Sequence, residues 1–408
     1  MRGDPNSDDV RNAPRFDARD DDSRLLAPTT RRGLLSLGGG ALATVGVAGC
    51  LGSDDTGDES DSGEADERDA LPDLPRVENP PEGVYVPTHR EAMEQLPTLR
   101  VSEFAVTPMI TYPHRFWLVT GQRVEEVLPE SSRGVHLMFT PWDPETGTVL
   151  PVDAGAQVRV SRDGEIVDQR APWPMISQSM GFHFGDNVPL PDEGTYTVEI
   201  ELTPIATRRT GGFDGRFEEG GTATFEFGYD EALRRRLIDD VEYFDEELWG
   251  RLGAIEPMDH GSHGDGHNHD ENGHDDMEMA MPYSRLPDSE EYPGVAMGEP
   301  RTGDARVVVR YLRESRLASG EDYLLVSPRT PHNAVPLADT AISVAGGVDG
   351  TLTQTLDGDL GLHYGIPASL SPGETVEVRF DSPPQVSRHA GYETAFIDMP
   401  PVEVTLPE

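Results

Sequence analysis

The feature that most constrains the fold is a series of short segments in which apolar and polar residues alternate between Pro- or Gly-containing turns. They include residues 135–139, 157–160 and 195–200 in one half of the chain, and residues 306–309 and 375–380 in the other. Alternation with a period of two is typical of a strand with one buried face. Short strands at such spacing favour antiparallel β-sandwiches. The sequence therefore predicts a mainly β protein.

The two halves of this pattern are related by an internal repeat. Gly181-Phe182-His183 corresponds to Gly361-Leu362-His363, and Arg208-Arg209 corresponds to Arg388-His389 at the same offset. Several matches in one order and at one offset are typical of a duplicated unit. We therefore predict two related β-sandwich domains, at residues 79–229 and 295–408.

Charge and cysteine content exclude several classes of protein. The chain has 33 basic and 75 acidic residues, for a formal net charge of −42, and every basic residue is an arginine. A nucleic-acid partner is not expected, because phosphate recognition needs a clustered positive surface. The single cysteine excludes a disulfide framework and a cysteine-based zinc finger. Acidic residues spread along the whole chain indicate a halophilic protein, since at about 1 M salt the Debye length is only about 3 Å.

Residues 1–50 predict an export signal. Arg31 and Arg32 precede a stretch of small uncharged residues, as in twin-arginine signals, which export folded proteins. The stretch ends in Ala48-Gly49-Cys50, which is typical of a lipobox, so we predict lipidation of Cys50. The alternative is a transmembrane helix, but about 16 residues are too few to cross roughly 30 Å of hydrocarbon. Residues 51–78 predict an acidic disordered tether, and we expect a protein anchored by its lipid at the cell surface, facing outside.

Two further segments join the predicted domains. Residues 230–253 carry apolar side chains at three- and four-residue steps, which predicts an amphipathic helix. Residues 254–294 predict a linker rich in histidine and methionine, whose imidazoles can bind zinc, copper, nickel or iron. A solvated spacer that binds nothing is the alternative. The histidines concerned are His260, His263, His267, His269 and His274.

Four motifs of the first predicted domain occur in a recognisable order. They are His136-Leu-Met138, Trp173-Pro-Met175, Gly181-Phe-His183-Phe-Gly-Asp-Asn187 and Arg208-Arg-Thr210. Together they resemble the Fe2+ transport (Tp34-type) family of periplasmic metal-binding proteins, over residues 105–229 and more faintly over residues 304–405. The resemblance implies immunoglobulin-like antiparallel sandwiches and a copper or iron site made of histidine, methionine and carboxylate ligands.

In the first domain the resemblance implies His136, Met175 and His183 as metal ligands, with Met180 as a rival to Met175. Arg209 stands where the family has its last histidine. Side chains two apart on a strand share a face, and neighbouring strands bring side chains of the same face close together. His136 and His183 are therefore expected to converge.

In the second domain the resemblance implies His363 and His389, while Tyr323 replaces the first histidine. The spacing from His363 to His389 equals that from His183 to Arg209, so these two histidines are expected to converge within the second domain.

The function predicted from these features is a lipid-anchored metal-binding protein for uptake or delivery of iron (Fe2+) or copper. Its expected partners are the metal ion, the membrane through the lipid on Cys50, and a membrane metal permease. The sequence contains no nucleophile elbow, His-Glu-x-x-His motif or P-loop, so we do not expect an enzyme. The alternative is a structural or interaction sandwich of the cell envelope.

Overall fold

The computed structural model describes residues 74–152, 155–258 and 281–408. The export signal, Cys50, residues 51–73 of the predicted tether and the five linker histidines lie outside these ranges. The described residues form strands arranged mostly in antiparallel sheets, so the prediction of a mainly β fold is confirmed. Within those ranges, no helix has the length and apolar character needed to cross a membrane.

The first half contributes fifteen strands and the second half eleven, with one short strand between them. The first fifteen are β1 (His89–Arg90), β2 (Glu94–Gln95), β3 (Leu99–Val101), β4 (Phe104–Thr111), β5 (Phe116–Thr120), β6 (Arg123–Val127), β7 (Gly134–Asp143), β8 (Thr148–Val149), β9 (Gln157–Arg162), β10 (Glu165–Arg170), β11 (Trp173–Ser177), β12 (Gly181–Pro189), β13 (Gly194–Leu202), β14 (Arg208–Thr210) and β15 (Gly221–Tyr229). The remainder are β16 (Glu242–Tyr243), β17 (Val295–Gly298), β18 (Arg301–Thr302), β19 (Ala305–Leu312), β20 (Tyr323–Arg329), β21 (Ala341–Gly346), β22 (Gly350–Thr351), β23 (Thr353–Asp357), β24 (Gly361–Pro367), β25 (Thr375–Ser382), β26 (Ser387–Arg388) and β27 (Val402–Thr405).

A ten-stranded sheet and a four-stranded sheet enclose the core of the first half. The ten-stranded sheet has the order β2-β4-β7-β12-β11-β26-β5-β6, with β3 also paired to β4 and β8 to β7. The four-stranded sheet has the order β10-β9-β13-β15. Along β13, Tyr196, Val198 and Ile200 are buried while the residues between them are at least partly exposed, as expected for a strand with one covered face. These side chains pack with Phe139 and Phe184 of the large sheet.

The second half repeats this two-layer arrangement. Its seven-stranded sheet has the order β14-β23-β24-β20-β19-β17, with β18 also paired to β19, and its four-stranded sheet has the order β22-β21-β25-β27. The two sheets enclose a separate aliphatic core that includes Val309, Val326, Ile342 and Val376.

The two halves exchange one strand each. Strand β26 of the second half lies in the ten-stranded sheet, parallel to β11 and antiparallel to β5. Reciprocally, β14 of the first half lies beside β23 in the seven-stranded sheet. Arg388 of β26 is fully buried, and burial lowers the pKa of its guanidinium to about 9. Each large sheet is therefore completed by the other half of the chain.

The helix predicted over residues 230–253 is shorter than expected. It begins after Asp230, whose side chain accepts a hydrogen bond from the backbone N–H of Leu233, and spans Glu231–Asp239. The acidic side chains of Asp239 and Asp240 lie at the negative, C-terminal end of the helix dipole, where a negative charge is unfavourable. The chain then continues as β16, which pairs with β1. Four single-turn 3-10 helices complete the described elements: Gly211–Phe213, Glu246–Leu248, Ser289–Glu291 and Arg316–Ala318.

Candidate metal centre

The face of the ten-stranded sheet that points away from the core carries histidine and methionine side chains. In β7, Leu137 and Phe139 belong to the core, so alternation places His136 and Met138 on the opposite face. Pairing of β7 with β12 and of β12 with β11 brings Met138 opposite Gly185 and His183 opposite Met175. Like the core face, this face is shielded from solvent, because His136, Met175 and His183 are fully buried.

His389, from the second half, completes this group. It directly follows β26, and its backbone N–H donates to the carbonyl of Ile176 in β11. Its Nε2 lies 3.0 Å from Nε2 of His183, and its ring centre lies 5.6 Å from that of His136. The expectation that His389 would converge with His363 is therefore not met, because strand exchange carries His389 into the first half.

His114 is a further member that sequence reasoning missed. Its ring centre lies 4.2 Å from that of His136 and 5.1 Å from that of His389. It sits in the loop between β4 and β5, which Asn187 holds by accepting from the His114 N–H and donating to its carbonyl. Glu91 lies nearby, and ligand atoms of Glu91, His114 and His389 all lie within 4.8 Å of one another. A loop histidine has no periodic signal, and only its place directly after Pro113, shortly past the end of β4, marks it in the sequence.

Three of the four histidines are held in the same tautomer. The Nδ1 atoms of His114 and His183 face the carbonyls of Arg115 and Gly181 at 2.9 and 3.1 Å, so each Nδ1 carries the proton. His136 likewise donates from Nδ1 to the Asn187 side-chain oxygen at 3.0 Å. Each Nε2 therefore presents a lone pair to the centre. Holding the second ring nitrogen in this way is typical of metal-binding histidines.

Two of these lone pairs are buried and accept no hydrogen bond from any of the described residues. Nε2 of His136 and Nε2 of His114 have no hydrogen-bond partner among the described residues. Such unsatisfied groups are uncommon in folded proteins, and each costs about 1–3 kcal/mol. A cation placed between them would remove that cost, so these residues fit a bound metal ion.

Gly185 leaves space for that ion. A Cβ at this position would lie 2.9 Å from Nε2 of His136 and 3.2 Å from both Sδ of Met175 and Cγ of Met138. A nitrogen donor and a sulfur donor therefore border Gly185 so closely that a methyl group would fit there only if one of them shifted, and the lack of a side chain keeps this space free. Met175 lines this space through its Sδ, whereas its rival Met180 is part of a methionine cluster that also contains Met138.

Burial keeps His136, His183 and His389 neutral. It lowers the pKa of His183 to about 4 and holds the pKa values of His136 and His389 well below the usual range, and neighbouring histidines add to the effect for all three. Neutral imidazoles are the form that binds metals. The nitrogen–nitrogen distance between His183 and His389 matches the roughly 3 Å separation of two ligands that are each about 2.0–2.1 Å from one ion.

A surface cleft reaches the edge of the centre. It has a volume of about 570 Å³ and is lined in part by His89, Glu91, Tyr112, His114 and Trp117. His89 contacts the Tyr112 hydroxyl through Nε2 at 3.0 Å. His114 and Glu91 thus lie between the cleft and the buried histidines, where an arriving cation would meet a carboxylate first.

The equivalent position of the second half lacks this donor set. His363 is fully buried and bonds the Gly361 carbonyl through Nδ1 at 3.1 Å, as His183 bonds Gly181. However, Thr355 pairs with it in place of a methionine. The ring and hydroxyl of Tyr323 crowd Gly365 more closely than His136, Met138 and Met175 crowd Gly185. His363, whose Nε2 also has no hydrogen-bond partner among the described residues, therefore lies in a ring-filled counterpart of the candidate metal centre.

Comparison with known proteins gives few matches. Residues 290–405 match DUF7350, a domain family of unknown function. A search of curated proteins finds no match. Among solved structures, the chain is similar to FetP of uropathogenic Escherichia coli strain F11. A copper-bound variant of FetP is 18% identical, with 34% of this chain and 97% of that chain covered and a TM-score of 0.28. FetP as isolated is 17% identical, with 34% and 96% covered and a TM-score of 0.26.

Proposed function

We propose that this protein binds one iron or copper ion in the buried centre formed by His136, Met175, His183 and His389, with His114 at its edge. The observation that supports this most directly is the convergence of buried Nε2 lone pairs, two of which have no partner among the described residues. Nitrogen and thioether donors suit copper and can also hold ferrous iron.

Binding for uptake or delivery fits the centre better than catalysis. Three imidazoles and one thioether supply four protein donors, which fill a tetrahedral site, whereas catalytic metals keep a position open for water or substrate. The cleft beside Glu91 and His114 gives an ion a way in and out. We therefore propose that the ion is cargo, handed to or from a membrane metal permease, and that the protein performs no covalent chemistry.

The alternative is a structural sandwich of the cell envelope whose buried histidines bind nothing. The copper content of a variant that lacks residues 260–274 distinguishes the metal-binding proposal from this structural alternative, because the linker histidines no longer contribute to the bound copper. We expect one tightly held copper ion per chain in the deletion variant, measured after dialysis against a weak chelator. His183→Ala in the same background is the control and should lose that ion. A deletion variant without copper or iron would leave the structural alternative.

We also propose that a lipid on Cys50 anchors the protein outside the cell membrane. Arg31, Arg32 and Cys50 border one uncharged segment, as an exported lipoprotein requires. Replacing Cys50 with serine should move the protein from the membrane pellet to the medium. Cys50→Ser protein that still sediments with membranes would contradict the anchor, whatever the state of the metal centre.

A further inference from the structure

A second group of sulfur atoms lies beside the histidine centre, on the same buried face. Met109, Met138, Met180 and Met281 form a cluster of their own, with each side chain at most 4% exposed. Met93, which is partly buried, packs against them. Met109 and Met138 are direct cross-strand partners on β4 and β7. Within the described residues, this cluster contains no aliphatic or aromatic member.

The composition of this cluster differs from that of the other cores. The core of the first half is built of Phe, Val, Leu, Ile and Tyr, with Met399 as its methionine, and the core of the second half likewise includes one methionine, Met297. Branched and aromatic side chains pack in fewer conformations than methionine, whose three rotatable bonds and polarisable sulfur make core packing less specific. Four buried methionines in one place are therefore poorly explained by packing alone.

The cluster connects two other features of the molecule. On its inner side, Cγ of Met138 lies at the gap above Gly185, together with Sδ of Met175 and Nε2 of His136. On its outer side, Met93 lines a surface cleft of about 430 Å³ with Met258, and the four acidic residues of the cleft, which include Glu91 and Asp240, outnumber its two arginines. Thioethers thus continue from an acidic cleft at the surface to the edge of the buried histidines.

We propose that Met109, Met138, Met180 and Met281 form a second metal site, which binds a soft monovalent cation such as Cu(I) or Ag(I). Thioether sulfur is a soft, uncharged ligand that prefers Cu(I) over harder divalent ions. The acidic cleft concentrates cations at the outer end of the cluster. This site uses other ligands than the histidine centre and does not depend on the function proposed for that centre.

Silver binding to the full chain tests this proposal, since Ag(I) has the charge and ligand preference of Cu(I) and does not change oxidation state under these conditions. The variant is Met109→Leu/Met138→Leu, a nearly volume-conserving change that removes two thioethers. Met297→Leu/Met399→Leu is the matched control, because it removes two buried methionines from the other cores. The linker is present in all proteins, so its contribution cancels.

We expect the cluster variant to bind one Ag(I) fewer per chain than the wild type, by calorimetry and by native mass spectrometry, while the control binds as many as the wild type. Thermal unfolding of the apoprotein shows whether the variant has folded. If the double variant has not folded, the single variant Met180→Leu is used instead. We expect it to bind one Ag(I) ion at least tenfold more weakly than the wild type does.

His183→Ala separates this site from the histidine centre, because it should leave the ion of the methionine cluster in place. A folded cluster variant that binds as much Ag(I) as the wild type, and as tightly, overturns the proposal and leaves the methionines as packing. Unchanged Ag(I) binding by a folded Met180→Leu variant overturns it equally.

Discussion

Nε2 of His183 and Nε2 of His389 lie 3.0 Å apart, although 206 residues of chain separate them. His183 is part of β12 in the first half, and His389 follows the strand that the second half inserts into the same sheet. The two halves of the chain therefore share one cluster of buried histidines, which is the candidate metal centre.

His389→Ala should weaken copper binding to the buried centre by roughly 100-fold or more, because it removes a ligand and not merely a supporting group. A competitive titration against a chelator of known affinity measures this in the protein lacking residues 260–274. His332→Ala, a change of another second-half histidine outside the centre, is the control. Equal affinities for His389→Ala and the wild type would show that the second half supplies no ligand.

Gly185→Ala should weaken metal binding without an equal loss of apoprotein stability. The added methyl group would lie 2.9 Å from Nε2 of His136 and 3.2 Å from Sδ of Met175, so it would fill the space between the two donors and at least one of them would have to shift. Gly228→Ala is the control, since a Cβ there meets nothing within 4 Å. Chelator titration and thermal unfolding together distinguish a blocked site from a misfolded protein. Wild-type affinity in Gly185→Ala would place the ion elsewhere.

His363→Asn should leave the number of tightly bound copper ions unchanged. Tyr323 and Thr355 take the places that a histidine and a methionine hold in the first half, and the tyrosine ring fills the space for an ion. Elemental analysis of the dialysed deletion protein gives the count, with one ion expected both before and after the substitution. Loss of an ion in His363→Asn would mean that the second half has a site after all.

The free energy of unfolding of the apoprotein should fall as the pH is lowered from 7.5 to 5. Burial lowers the pKa of His183 to about 4 in the folded state, while an unfolded histidine titrates near 6.5. Below pH 6.5 the unfolded chain therefore binds the extra proton, and His183 alone accounts for about 2 kcal/mol of lost stability at pH 5.

Denaturant titrations at both pH values, in the high salt that the acidic surface calls for, measure this effect. His183→Gln isolates the contribution of this one residue, because all carboxylates are the same in both proteins. An identical pH dependence in the wild type and His183→Gln would contradict a neutral buried imidazole at this position.

Much of the fold could be predicted from local sequence. Alternating segments such as those around Val198 predict strands with one buried face, and the repeat linking His183 to His363 predicts two similar halves. The helix was predicted too long because apolar spacing continues to Leu248, whereas acidic residues at Asp239 and Asp240 and pairing with β1 end it earlier.

The metal centre could be predicted only in part. His136, Met175 and His183 lie on adjacent strands, so alternation and their order suffice to place them on one face. The position of His389 depends on which sheet β26 joins, and no local pattern encodes a strand exchange between halves. His114 is in a loop, where periodicity carries no information.

The exchanged strand also sets when the centre can first exist in the life of the protein. His389 lies 206 positions after His183 along the chain, so it leaves the ribosome long after the strands of the first half. Until then a nascent chain holds only part of the donor set, and a product truncated before β26 never acquires the rest. Under the proposed function, metal loading would therefore wait until β26 has joined the sheet, and chains that end before β26 would lack one of the ligands.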